Sequence, residues 1–200
     1  MTLEPSSVDS AMADSDWLRR LARHAWVREP SGWGRPVLVV QVDRQRLFVV
    51  DLGHPVESFA VSTAERGTGN REGSGQTPLG LHRVAHRIGD AAPAGTIFRG
   101  RADTGEIARI LAEPGQRGPG DRITSRILWL EGLEEGVNRG GEVDSLARYI
   151  YIHGTDEEGR IGTPASHGCI RMRNQDIITL FPRVPLHSLV LILQGRTWCL

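Results

Sequence analysis

A histidine at 153 and a cysteine at 169 stand sixteen residues apart in IHGTDEEGRIGTPASHGCIRM, a glycine-rich segment that also holds His167 and Arg171. A free thiol has a pKa of about 8.5, so only a few per cent is thiolate at neutral pH unless an imidazole or a helix N-terminus favours the charged form. Cysteine-based nucleophilic catalysis therefore needs a partner such as His153. That residue closes the alternating run YIYIHG, which places its side chain at the end of a strand. Gly159 and Gly162 then let the chain turn back towards Cys169. Gly168 removes side-chain bulk next to the thiol, and the N–H groups of Gly168 and Cys169 are candidate oxyanion donors. In an extended segment Arg171 shares a side with Cys169 and offers a bidentate carboxylate binder. These are the parts for acyl transfer onto a substrate that carries a carboxylate.

Other uses fit the same residues. Cys169 alone could be a small core hydrophobe, and Arg171 a solvated strand residue. His153, His167 and Cys169 could ligate zinc, although CxxC or HExxH spacing and a fourth ligand are missing. The expected cofactor set is none, with no metal.

The surrounding elements must position this segment. Asp14-Ser15-Asp16 offers N-caps for a helix with an apolar stripe of Trp17, Leu18, Leu21, Ala22, Ala25 and Trp26. After Pro30 to Gly34 the pattern changes to short β runs: VLVVQV from Val37, RLFVVD from Arg46 and ESFAVST from Glu57. A glycine-rich stretch over 67–80 reads as a long surface loop bordering a site. Further strands are expected over Leu81 to Ala85, Ile123 to Leu130, Tyr149 to His153 and Ser188 to Leu193. A short helix capped by Asn174 is expected over Asp176 to Phe181.

Composition narrows the partners. The 200 residues are 39 % hydrophobic and 24 % charged, with a formal net charge of +0, which fits one globular unit and supplies no basic field for nucleic acid or anionic membranes. All the basic side chains are arginine, which removes Schiff-base chemistry. Cys169 and Cys199 cannot build a disulfide framework. The first thirty residues lack a charged then apolar export pattern, and the longest apolar run is Leu189 to Leu193, so the expectation is a cytoplasmic protein without a membrane span. A trimmed chain would make it periplasmic.

IHG followed by SHGCIRM resembles the signature of the L,D-transpeptidase catalytic domain, the YkuD-like family. VLVVQVDRQRLFVV resembles its first hairpin, VSTA the following strand and TPLG its Thr-Pro-x-Gly turn. The resemblance implies a mainly β, sandwich-like fold with a few short helices, here preceded by an N-terminal helix. The chain then divides into a helical extension over 1–34, a catalytic domain over 35–194 and a tail over 195–200. The resemblance further implies that Cys169 is the nucleophile, His153 the base and Gly154 the carbonyl that orients it. Gly168 would aid the oxyanion, Ser166 and His167 would bind substrate, with His167 also positioning the site, and Arg171 would contact a substrate carboxylate or serve as a structural contact. The implied substrate is the peptidoglycan tetrapeptide stem, free or as a muropeptide, cleaved between the L-centre of diaminopimelate and D-alanine. Carbapenem-type inhibitors are expected to acylate the thiol. Water as acceptor makes an L,D-carboxypeptidase of muropeptide recycling. A stem amine makes a periplasmic crosslinking enzyme, and a noncatalytic peptidoglycan-fragment binder is the alternative of another class.

Overall fold

The computed structural model describes residues 7–54, 56–196 and 198. In chain order the elements are α1 (Ser7–Arg28), β1 (Val37–Gln41), β2 (Arg46–Val50), β3 (Glu57–Ala60), β4 (Gly80–Ile88), β5 (Thr96–Arg99), β6 (Ala102–Ile107), β7 (Ile123–Gly132), β8 (Tyr151–Thr155), β9 (Ile170–Met172), α2 (Asn174–Leu180) and β10 (Leu189–Leu193). The fold is mostly β, as the alternating runs require.

All ten strands join one curled sheet in the order β3-β2-β1-β10-β4-β7-β5-β6, with β8 and β9 branching from β7. The curl encloses a core to which both halves contribute: Leu38, Val40 and Ile192 from one, Leu128, Ile152, Ile170 and Met172 from the other. This is the sandwich-like arrangement, made from a single sheet. β1 and β10 pair in parallel at the centre and are buried on both faces, which explains their uninterrupted apolar runs VLVV and LVLIL. Their outer face is covered by Leu18, Ala22, Ala25 and Trp26 of α1. Truncating a buried tryptophan typically costs about 3–5 kcal/mol, so the helix is an integral part of the packing.

Several expectations need correction. α1 starts at Ser7, so Asp14 and Asp16 lie inside the helix and are not caps. Asp14 instead pairs with Arg44 at 3.0 Å and with Arg196, and Asp16 with Arg19. Asn174 is the first residue of α2 and does not cap it. Its side-chain amide donates to Thr155 O at 2.9 Å, and its carbonyl accepts from Thr124 and Ser125, stapling helix to sheet. The β5–β6 hairpin was not foreseen. Two residues, Gly100 and Arg101, turn it, both with positive φ (55° and 71°) as in a type I′ turn. The 67–80 stretch is no free surface loop at its end: Thr77 and Pro78 are buried, and the Thr77 hydroxyl donates to Gly168 O at 2.9 Å. Cys199 lies outside the described residues. Among those described, no helix is long and apolar enough to cross a membrane.

Candidate active site

β8 and β9 run parallel with Ile152 opposite Ile170, His153 opposite Arg171 and Gly154 opposite Met172. Side chains alternate across a strand. Ile152, Ile170 and Met172 therefore enter the core, while Tyr151, His153 and Arg171 share the other face. Extending that register by one residue sets Cys169 beside Tyr151, and both join a second apolar cluster with Phe98, Ile127 and Trp129. Histidine and cysteine are thus diagonal neighbours on one face, within reach of long side chains. His153 is the third of five residues in β8, not its last, so it is fixed by ladder pairing on both sides.

The imidazole has one defined orientation. Its Nδ1 lies 2.7 Å from the Gly154 carbonyl. A carbonyl only accepts, so Nδ1 carries the proton and the neutral ring leaves Nε2 free as a base. Burial lowers the His153 pKa, and the Arg171 cation works in the same direction. The Asp121 charge and the Gly154 carbonyl oppose them. Burial likewise pushes the Cys169 thiol up to about 12, despite a hydrogen bond from the Tyr151 backbone and the cations of Arg171 and Arg148. The thiol donates to Tyr149 O at 3.4 Å. The resting pair is therefore neutral thiol and neutral imidazole, with the S–H engaged by the Tyr149 carbonyl.

A pH profile of alkylation follows. With the thiol protonated up to about 12, the rate of iodoacetamide addition at Cys169 should keep rising through pH 9 and 10 with no plateau. Mass quantification of the Cys169 peptide reads this out. A plateau setting in at or below pH 8.5 would instead reveal a preformed thiolate–imidazolium pair.

The other expected site residues divide. Gly168 has φ 140°, a conformation closed to side chains, and its neighbours are the Gln76 carbonyl and Ile150. Its N–H donates to Ser166 Oγ at 3.2 Å, so that donor is occupied at rest by a long bond that an oxyanion would have to displace. Ser166 is buried, and its hydroxyl donates to Cys169 O at 2.6 Å. It shapes the turn from within, which corrects the expectation of a substrate contact. His167 is exposed, with Nδ1 3.3 Å from Asp121.

Arg171 takes the structural one of its two expected roles. Its side chain is 0 % exposed and bonds Asp121 at 2.9 Å, Glu157 at 3.0 Å and Ser62 at 3.3 Å. A guanidinium with no accessible surface cannot receive a substrate carboxylate, and here it neutralises two carboxylates of its own chain. Burial pushes the Asp121 carboxyl up, but its interaction with the His153 ring, the Arg171 cation and hydrogen bonds from Arg171 and His167 hold it below the usual range. Asp121 is thereby an anion that can stabilise an imidazolium at His153.

Asp121, Glu157 and Arg148 escaped the sequence reading. Glu157 sits inside the motif segment and alternates with Thr155, a signal that could have flagged it. Asp121 lies in the 108–122 connection, strapped to the site by Leu111 N to Asp156 O (2.7 Å) and Gly118 N to Glu157 (2.6 Å), and nothing local marks it. Arg148 donates to Asn70 O at 2.6 Å and Gln76 O at 2.7 Å, fastening the glycine-rich stretch beside the thiol. Among the described residues, no group of three or more His, Cys, Asp or Glu side chains could hold a metal ion.

Residues 35–192 match the family model described as L,D-transpeptidase catalytic domain, YkuD. Probable L,D-transpeptidase YbiS of Escherichia coli (strain K12) is 47 % identical over 45 residues, which are 22 % of this chain and 15 % of that protein. Putative L,D-transpeptidase YqjB of Bacillus subtilis (strain 168) is 46 % identical over 45 residues, 22 % of this chain and 26 % of that protein. The alignments thus span about a quarter or less of these relatives. Among solved structures, L,D-transpeptidase 3 from Mycobacterium tuberculosis in complex with a faropenem-derived adduct is similar with TM-score 0.46 and 16 % identity, over 78 % of this chain and 59 % of that one. Bd1075 of Bdellovibrio bacteriovorus is similar with TM-score 0.49 and 14 % identity, over 84 % and 50 %.

Proposed function

The chain belongs to the L,D-transpeptidase catalytic domain family, and from that premise we propose that it is a cysteine acyl-transfer enzyme that removes D-alanine from peptidoglycan tetrapeptide stems. The observation that carries the reading is the placement of His153 and Cys169 as diagonal neighbours on one sheet face with Nε2 free. Nε2 takes the thiol proton as Sγ attacks the carbonyl between diaminopimelate and D-alanine. The carbon–nitrogen bond breaks as the imidazolium returns that proton to the departing amine. Water then gives a proton to Nε2 and attacks the thioester, releasing the tripeptide acid and restoring the thiol.

Water is the acceptor in this reading. Soluble muropeptides in the cytoplasm are the substrate pool we assign to it. Mass spectrometry of a disaccharide tetrapeptide incubated with the protein, with and without an amine acceptor, tests the proposal. Free D-alanine and tripeptide are expected in both samples. Crosslinked dimer without tripeptide would make a stem amine the acceptor.

A further inference from the structure

Beyond Tyr149 and Tyr151, a cavity of about 530 Å³ opens, lined in part by His86, Arg87, Asp90, Arg101, Trp129 and Phe181. Arg101 projects from the turn of the β5–β6 hairpin. Its guanidinium lies 4.9 Å from the ring centres of both Trp129 and Tyr149 and 3.5 Å from the Tyr151 hydroxyl. Trp129 in turn packs against Tyr149 and Tyr151, each at 5.6 Å. The backbone carbonyl of Tyr149 holds the Cys169 thiol, so a single aromatic layer separates Arg101 from the reacting sulfur.

Three features distinguish this arginine. Its φ of 71° falls at the second position of a turn that favours glycine, and a side chain kept in such a conformation points to a use for it. Arg87, in the same cavity, is already laid on Phe181 at 4.2 Å and paired with Asp90 at 3.9 Å. Arg101 makes no ion pair among the described residues. A guanidinium stacked on aromatic faces still presents its N–H edge, the geometry that takes a carboxylate bidentately.

We propose that Arg101 binds the side-chain carboxylate of the diaminopimelate residue in the acyl donor. The inference rests on the tetrapeptide reading above. The D-alanine carboxylate is one carbon from the scissile nitrogen and would lie against the thiol, whereas Arg101 is set behind the side chains of Tyr149 and Tyr151. The second carboxylate of diaminopimelate, beyond three methylenes from the α-carbon, has the matching reach. Arg101 thus takes the role that the burial of Arg171 leaves vacant.

Titration calorimetry on the full chain carrying Cys169→Ala tests this with two tetrapeptides, one with the diaminopimelate side-chain carboxylate free and one with it amidated. The free acid should bind about 10- to 100-fold more tightly, as expected for a hydrogen-bonded charge pair. Adding Arg101→Gln should remove that preference and leave the amidated peptide unaffected. Arg101→Gly, which suits the turn, should do the same without lowering the melting temperature, separating lost recognition from lost folding. Equal binding of the two peptides, or an equal loss for both in Arg101→Gln, overturns the assignment. D-Alanine release by the chain with Cys169 intact is measured alongside. No release with Arg101-dependent binding would sink the acyl-transfer reading alone, and release with indifferent binding would sink the Arg101 assignment alone.

Discussion

Cys169→Ser should abolish D-alanine release, with kcat/KM falling by roughly four orders of magnitude or more, the usual scale for removal of a member of a nucleophile–base pair. The serine hydroxyl is far less acidic than the thiol, and nothing in this site compensates. His153 enters as a neutral base whose pKa burial lowers, and the cations that favour a thiolate, Arg171 and Arg148, are committed elsewhere through Asp121, Glu157 and backbone carbonyls. The fold should be indifferent to the change, because the thiol makes one long hydrogen bond, 3.4 Å to Tyr149 O. Melting temperature should therefore stay within a degree or two while turnover and the mass adduct with a carbapenem both vanish. His153→Gln should reach a similar floor, and the double variant should fall no further, since the two residues act as one unit. An adduct on Cys199 in the serine variant, or residual turnover within tenfold of the parent, would place the nucleophile elsewhere.

Arg171→Ala should instead act on stability, costing about 3–5 kcal/mol, the range for breaking a buried ion pair from one side. Asp121 and Glu157 would be left facing each other beneath the SHGC turn with their shared counter-charge removed. Urea unfolding at pH 7 reads the loss. Its pH dependence has a defined sign. Despite burial, which raises both carboxyls, charge and hydrogen bonds hold them below their ordinary values in the folded protein. Their contribution is present above the ordinary carboxylate range and disappears as pH falls through the depressed folded values. The gap between parent and variant should accordingly narrow on acidification below pH 5. If Arg171→Ala raised KM and left the unfolding midpoint unchanged, the residue would return to the substrate-binding role that its position two residues after the thiol first suggested.

The two substitutions bear on how much of this protein could be read before it folded. Strands around the core were legible because their burial repeats every second residue or, in β1 and β10, is continuous. The stripe of α1 was legible for the same reason, while its start was not. Asp14 and Asp16 have the composition of caps, yet arginines at 44 and 196 satisfy Asp14 and Arg19 faces Asp16 within the helix. The hairpin of β5 and β6 was hidden because most of β6, ADTGEI, is exposed and carries no apolar alternation.

Residues 152 to 172 by themselves determined that a histidine would be presented on a strand and a cysteine at the bend before the next one, with a carbonyl one residue from the imidazole and a glycine before the thiol. Those are local consequences of strand geometry and of a backbone position open only to glycine. Tertiary structure alone decided which charges surround the pair. Asp121 meets Arg171 across 50 residues of sequence, Ser62 across 109, and Arg101 reaches Tyr151 across 50. Whether an arginine faces water or two carboxylates depends on which distant loops fold over it, and no spacing within its own strand encodes that.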